Sequence, residues 1–137
     1  MMFDKDIENI RYLTESGFHE EAITRIDELR NKGCKDSILL LFEALAKYDA
    51  GNDLECLKFI SEFLDLADDH EQHDYALFTS AICLMNLGLA SEARLILKEL
   101  PDDYPDIEKE RRASEEVETS QRQAISCFIQ LTKTSNA

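Results

Sequence analysis

The 137-residue sequence contains no tryptophan, only two prolines and only four glycines. So few residues that interrupt regular structure argue against a disordered or loop-rich chain. No apolar run is long enough to cross a bilayer, since the longest, Ile38 to Phe42, ends at Glu43. The N-terminus, Met-Met-Phe-Asp-Lys-Asp-Ile-Glu, lacks the basic and apolar regions of a signal peptide. We therefore expect one globular, cytoplasmic domain.

Basic residues are also scarce. Fifteen Lys and Arg stand against 29 Asp and Glu, which gives a net charge of -14. Such a chain repels phosphate backbones and anionic lipid headgroups, so the composition excludes nucleic acid and membrane insertion as expected functions. A basic protein partner is compatible with this charge, although acidity also simply keeps a small protein in solution.

The residue patterns that support catalysis are missing as well. The four cysteines form no CxxC pair, which favours a reducing compartment, and Cys56 and Cys83 stand where a helical core needs small apolar residues. No Ser-His-Asp or Cys-His arrangement and no phosphate-binding glycine loop is present. The sequence predicts that this protein is not an enzyme and that it uses no cofactor or metal.

What the sequence does contain is an internal repeat. Gly17, Gly51 and Gly88 each follow one apolar helical segment and precede another, and they lie 34 and 37 residues apart. Aligned on these glycines, the same offsets hold small or apolar residues in all three segments. The aligned sets are Ile10, Ala44 and Ala81; Ala22, Cys56 and Ala93; Ile26, Ile60 and Leu97; and Leu29, Phe63 and Leu100.

This pattern resembles the tetratricopeptide repeat family, whose period is 34 residues. The third segment is the most similar, with Ala81, Gly88, Ala93, Leu97, Leu100 and Pro105 at family positions. The resemblance implies an all-α fold of three helix pairs in a short right-handed superhelix. The repeats cover residues 3–36, 37–70 and 74–107, and together they form an array over residues 3–107. Glu71, Gln72 and His73 are left as an insertion.

The last segment predicts a C-terminal capping helix over residues 108–133, because it has good helix formers and neither Gly nor Pro. The helix is polar from Glu108 to Arg122 and apolar from Ala124 to Leu131. Residues 134–137 are predicted to be a frayed tail. Seven helices and no sheet are expected in total.

The resemblance also implies a binding groove, because the first helix of each pair forms the inner wall of the superhelix. The groove positions of the family fall here on Ile7, Arg11, Ile38, Leu41, Leu45, Tyr48, Tyr75, Phe78, Ile82 and Met85. This wall is mostly apolar and lacks the Lys and Asn residues with which some members hold a terminal carboxylate. It suits an apolar helix or extended segment of a partner. Whether a partner or the chain's own Ala124–Leu131 segment covers the wall stays open at this point.

Three repeats with an apolar groove on a small acidic chain resemble the bacterial type III secretion chaperones that hold needle subunits or translocators before export. This resemblance implies a secreted subunit and a small helical co-chaperone as protein partners, and it leaves homodimer formation open. A general scaffold or regulatory adaptor of the same repeat family is the alternative.

A more distant alternative is a metal-dependent protein. Residues 68–74 contain two His and four carboxylates, which are ligands for Zn or Ni. The spacing matches no metal motif, so the simpler interpretation is a solvated loop with Asp74 capping the next helix.

Overall fold

The computed structural model describes residues 2–67 and 70–135, with side chains up to Lys133. Within these ranges the chain forms seven α-helices and no strand, as the sequence predicts. The helices are α1 (Asp4–Glu15), α2 (His19–Asn31), α3 (Ile38–Asp49), α4 (Asp53–Leu66), α5 (His73–Asn86), α6 (Ala90–Lys98) and α7 (Ile107–Ser135). None of them combines the length and apolar character that spanning a bilayer requires.

Each helix packs against the next one along the chain, and α1 also contacts α3. The pairs α1–α2, α3–α4 and α5–α6 are therefore stacked in sequence order, with α7 packed on α6 at the end. This is the arrangement of a helical repeat, in which a helix pair buries its apolar surface against its neighbours.

Within each pair the chain reverses at a glycine in the left-handed region, as Gly51 does with a φ of 80°. The residue that follows, Asn52, donates its N–H to the carbonyl of Lys47 at 2.8 Å. Equivalent bonds run from Phe18 to Leu13 and from Leu89 to Leu84. This bond closes the C-terminus of the first helix, and only glycine adopts the required conformation without a steric cost at Cβ.

The positions aligned on these glycines form the core. All twelve are buried, and none is more than 3% exposed. Small residues such as Ala22 and Cys56 let two helix backbones approach closely, while larger residues such as Ile60 and Phe63 fill the space between helix pairs. The sequence alignment therefore selected true core positions in every pair.

Most of the buried hydrophobic residues in the described part of the chain fall into two clusters that meet at α5. The larger one joins α1 to α5, and the smaller one joins α5, α6 and α7 through Leu77, Leu97 and Ile107. Leu64 of α4 packs against both clusters. An ion pair between Arg30 and Glu43 links α2 to α3 beside the larger cluster.

The longer spacing between the second and third glycines arises in the helices. The connections before α3 and before α5 both have six residues, whereas α5 has 14 residues against 12 in α3. Helix α4 has 14 residues against 13 in α2. The insertion expected at Glu71 to His73 therefore lengthens two helices rather than the loop.

Helix α7 differs from the sequence prediction at both ends. It begins at Ile107, and Thr134 and Ser135, expected to be frayed, belong to it; residues 136–137 lie outside the described residues. The Ala124–Leu131 segment does not fold back over the first helices, because α7 is continuous and residues 122–133 are exposed. Without Gly or Pro, nothing in the segment allows the helix to reverse.

Candidate binding groove

A cleft opens where the first helices of all three pairs come together, and its volume is about 250 Å³. We call it the first-helix groove. The lining residues are Arg11, Thr14 and Glu15 of α1, Leu41, Phe42 and Leu45 of α3, and Gln72 and Tyr75 at the start of α5. Four of the predicted groove residues, Arg11, Leu41, Leu45 and Tyr75, are thus brought together.

The groove has a buried floor and an exposed rim. Leu41 and Phe42 are only 2% and 3% exposed and belong to the larger core. Leu45 is half-buried, and Tyr75 is 42% exposed. A ligand in the groove would therefore contact Leu45 and Tyr75, while a change at Leu41 would first affect the stability of the core.

Arg11 packs against the groove wall. Its guanidinium carbon lies 5.3 Å from the centroid of the Phe42 ring, and its Nε donates to Glu8 Oε1 at 3.3 Å. The ring face attracts the cation, and the carboxylate balances its charge. Arg11 therefore contributes a packed and partly neutralised surface to the groove.

One end of the groove is acidic. A second cleft of about 380 Å³ shares Arg11 with the first, and it contains the predicted residues Ile7 and Ile38. Ile7 is half-buried and Ile38 is buried. The other lining residues are Asp4, Glu8, Asp36, His70 and Glu71. The apolar wall therefore continues into a region rich in carboxylates, where a basic group on a ligand would be stabilised.

The remaining four predicted residues line neither cleft. Phe78 packs on Tyr104, which follows α6, with their ring centroids 5.1 Å apart. Met85 packs against the smaller core and Tyr48 against the larger one. Ile82 is half-buried. Of the ten predicted residues, four therefore line the first-helix groove, two line the adjoining cleft and four line neither.

The phenols near the groove remain neutral over the physiological range. Burial raises the pKa of Tyr75 and of Tyr48, and nearby acidic groups, Asp49 among them, add to the effect. A neutral phenol offers one hydrogen-bond donor and an apolar ring. Tyr75 can therefore serve as an amphipathic contact at the rim.

No family model, curated protein or solved structure matches the chain. Geometry and side-chain chemistry are consequently the basis for assigning a function to the groove.

The histidine-rich segment shows no metal-ligand set among the described residues; Asp68 and Asp69 lie outside them. His70 Nδ1 accepts the N–H of Gln72 at 3.0 Å, and its ring packs edge-on to Phe63. His73, and not Asp74, begins α5, and no side chain caps the helix there. The expected cap at Asp74 is therefore wrong, and His70 is engaged in local packing.

Sequence reasoning missed a further cleft, separate from the two described above. It is apolar, lies between α4, α5 and α6 and has a volume of about 410 Å³. Its lining includes Leu57 and Leu64 of α4, Leu84 of α5 and Ile96 of α6. The seven-residue spacing of Leu57 and Leu64 beside the core positions Ile60 and Phe63 was the available signal. In an apolar helix, however, that spacing does not distinguish a core face from a cleft wall.

Proposed function

We propose that the protein is a tetratricopeptide-type binding module that holds a segment of another protein in the first-helix groove, and that it acts by binding rather than by catalysis. The observation that carries the proposal is the joint construction of one cleft by α1, α3 and α5. A site formed by three stacked helices contacts a ligand that runs across the repeats, such as a helix or an extended segment.

The chemistry of the groove supports a mostly apolar segment. Leu45 and Tyr75 form the reachable apolar surface, and the cleft has room for one or two large side chains. The carboxylates at the adjoining end favour a segment that also carries a basic residue there.

The specific role that we propose is that of a cytoplasmic export chaperone of the type III secretion class. A partner that is destined to assemble outside the cell carries an apolar helix that aggregates unless it is covered. A small acidic protein with an apolar groove meets this need, since its net charge of -14 would keep the complex in solution.

The test begins with affinity purification from the native host and identification of the bound protein by mass spectrometry. The affinity of the purified partner is then measured for Tyr75→Glu and Leu45→Glu variants. A charge placed against an apolar ligand without a counter-charge costs about 3 kcal/mol, so we expect a loss of roughly a hundredfold in affinity.

Tyr12→Glu is the matched control, because Tyr12 is an exposed tyrosine of α1 that does not line the groove. We expect it to bind like the wild type. Melting curves must accompany each measurement, so that a loss of folding is recognised. If folded Tyr75→Glu and Leu45→Glu proteins keep the wild-type affinity, the groove is not the binding site.

A further inference from the structure

The second half of α7 carries large apolar side chains that no other part of the described structure covers. Ile125, Phe128, Ile129 and Leu131 are 59%, 66%, 46% and 67% exposed. We call these four residues the α7 apolar face. A helix segment of this length is only marginally stable in water by itself, so a packed neighbour would stabilise it.

The α7 apolar face lies on the same side of α7 as the residues that pack on α6. Ser114 and Glu118 are buried in that contact, and Gln121 donates to the carbonyl of Gly88 at the turn before α6. Steps of seven residues, which return to nearly the same side of a helix, lead from Ser114 through Gln121 to Phe128, and from Glu118 to Ile125. The exposed face is therefore an extension of an existing helix-packing surface.

This side of α7 is uncovered in its second half because α6 is much shorter than α7. Helix α6 has nine residues and α7 has 29. Beyond Gln121, α7 extends about 20 Å past the start of α6. Leu87 and Leu89 at the α5–α6 turn are also partly exposed, at 36% and 43%, so the apolar surface continues where α7 leaves the body.

The size of this surface suits a helix from another molecule. The four side chains of the α7 apolar face expose on the order of 500 Å² of apolar surface, which is at the upper end for a monomer. Two such faces together would bury at most about 1,000 Å², which is the lower limit of a specific interface.

The charge distribution favours a second copy of this chain as the occupant. Residues 120–135 contain no Asp or Glu, although the whole chain has a net charge of -14. Two acidic molecules can therefore approach each other along this segment without opposing carboxylates. Its only charges are Arg122 and Lys133.

The helix dipoles select the direction of pairing. A parallel pair would place Lys133 beside Lys133 of the other copy and would align the two helix dipoles. An antiparallel pair opposes the two helix dipoles, so it is favoured over the parallel pair.

We propose that two copies of this chain associate through the α7 apolar faces, with the second halves of the two α7 helices packed antiparallel about a two-fold axis. One surface then serves both molecules, as in other two-fold dimers. This proposal is independent of the ligand of the first-helix groove.

The test is the mass of the purified full-length protein in solution, measured by sedimentation equilibrium from about 1 to 300 µM. We expect a monomer–dimer equilibrium in this range. The double variant Ile125→Asp with Phe128→Asp should weaken the dimer by at least a hundredfold, since it places four carboxylates in the interface. A wild type that stays monomeric at the highest concentration would overturn the proposal and leave the face to a different protein.

The matched control is Gln123→Asp with Ser126→Asp, which adds the same charge on the opposite side of the same helix. This variant should dimerise like the wild type. Equal dimerisation of all three proteins, or equal loss in both variants, would count against the face. Circular dichroism of each protein verifies that the helix content is unchanged.

Spin labels test whether the two α7 helices pair antiparallel or parallel. Cys127 is exposed, whereas Cys34, Cys56 and Cys83 are buried, so a label can be placed selectively at Cys127. A second protein carries the label at Ser120→Cys in a Cys127→Ser background. In the antiparallel dimer the distance between the two labels is longer from position 120 than from position 127. Equal distances would indicate a parallel pair and overturn the proposed arrangement.

Discussion

Cys56, Cys83 and Cys127 have the same side chain but very different surroundings. Cys56 and Cys83 are completely buried where α4 and α5 pack, and Cys127 is exposed on α7. The hydrogen bond with the Cys56 thiol, together with burial, raises the pKa of Cys83 far above that of a free cysteine. A buried thiol with a raised pKa is a packing residue and a poor nucleophile.

We therefore predict that a thiol reagent modifies Cys127 first in the native protein. Cys56 and Cys83 should react at least about 100-fold more slowly, because the helices must open before the reagent reaches them. Mass spectrometry of a time course gives the order of modification. In a Cys127→Ser variant the fast phase should disappear, and in denaturant all cysteines should react quickly. Rapid modification of native Cys56 and Cys83 would show that they are not in the core.

The sequence alone predicted part of this difference among the cysteines. The offset from each glycine identified Cys56 as a core residue, because the repeat places a small side chain at each helix crossing. It did not identify Cys34 as buried, since this residue lies in the connection before α3, where no helical period applies. Nor did it show that Cys127 is exposed, because an apolar stretch predicts a buried face only where a neighbour exists.

Arg111 connects two elements, and its contacts explain how α7 is attached. Its Nη2 donates to the carbonyls of Leu100 and Leu97 at 2.9 and 3.1 Å, and its Nη1 lies 2.8 Å from Asp102 Oδ1. The last carbonyls of a helix have no partner inside the helix, so the guanidinium caps the end of α6. A second link is made by Arg94 of α6 and Glu118 of α7 at 3.1 Å.

Arg111→Ala should lower the free energy of unfolding by about 2 kcal/mol, because it removes the charged hydrogen bonds to two carbonyls and a carboxylate. Arg111→Lys should recover only part of this, since an ammonium group does not reproduce the planar fork. Urea denaturation gives the values. Arg112→Ala is the control at a neighbouring exposed arginine, for which we expect a change below about 0.5 kcal/mol. Equal effects at both positions would exclude the capping role.

The described residues form two cores of unequal size. The cluster that joins α1 to α5 includes 14 buried residues, and the cluster that joins α5, α6 and α7 includes six. In a stacked repeat each unit contacts only its neighbours, so the smaller unit can open while the larger one stays folded. The stability of the chain is therefore expected to fall towards α7.

Leu97→Ala tests this order, because Leu97 is buried in the smaller core. We expect a cost of about 3 kcal/mol and faster amide hydrogen exchange in α6 and the first half of α7. Exchange in α1–α4 should change little. Leu95→Ala removes the same atoms from an exposed position of the same helix and should alter neither measurement. A uniform increase across all seven helices would mean that the chain unfolds as one unit.

The sequence by itself determined the helices, the glycine turns and the twelve repeated core positions, because these follow from local backbone preferences and the 3.6-residue period. Only the tertiary structure decided which predicted groove residues can meet a ligand. Helix α3 is apolar on nearly every side, and its packing against α1 and α4 made Leu41 part of the floor and left Leu45 at the rim. Likewise, the burial of α7 stops at the level of the first residues of the much shorter α6. Burial depends on where neighbouring helices lie, and a helical period in one segment carries no information about that.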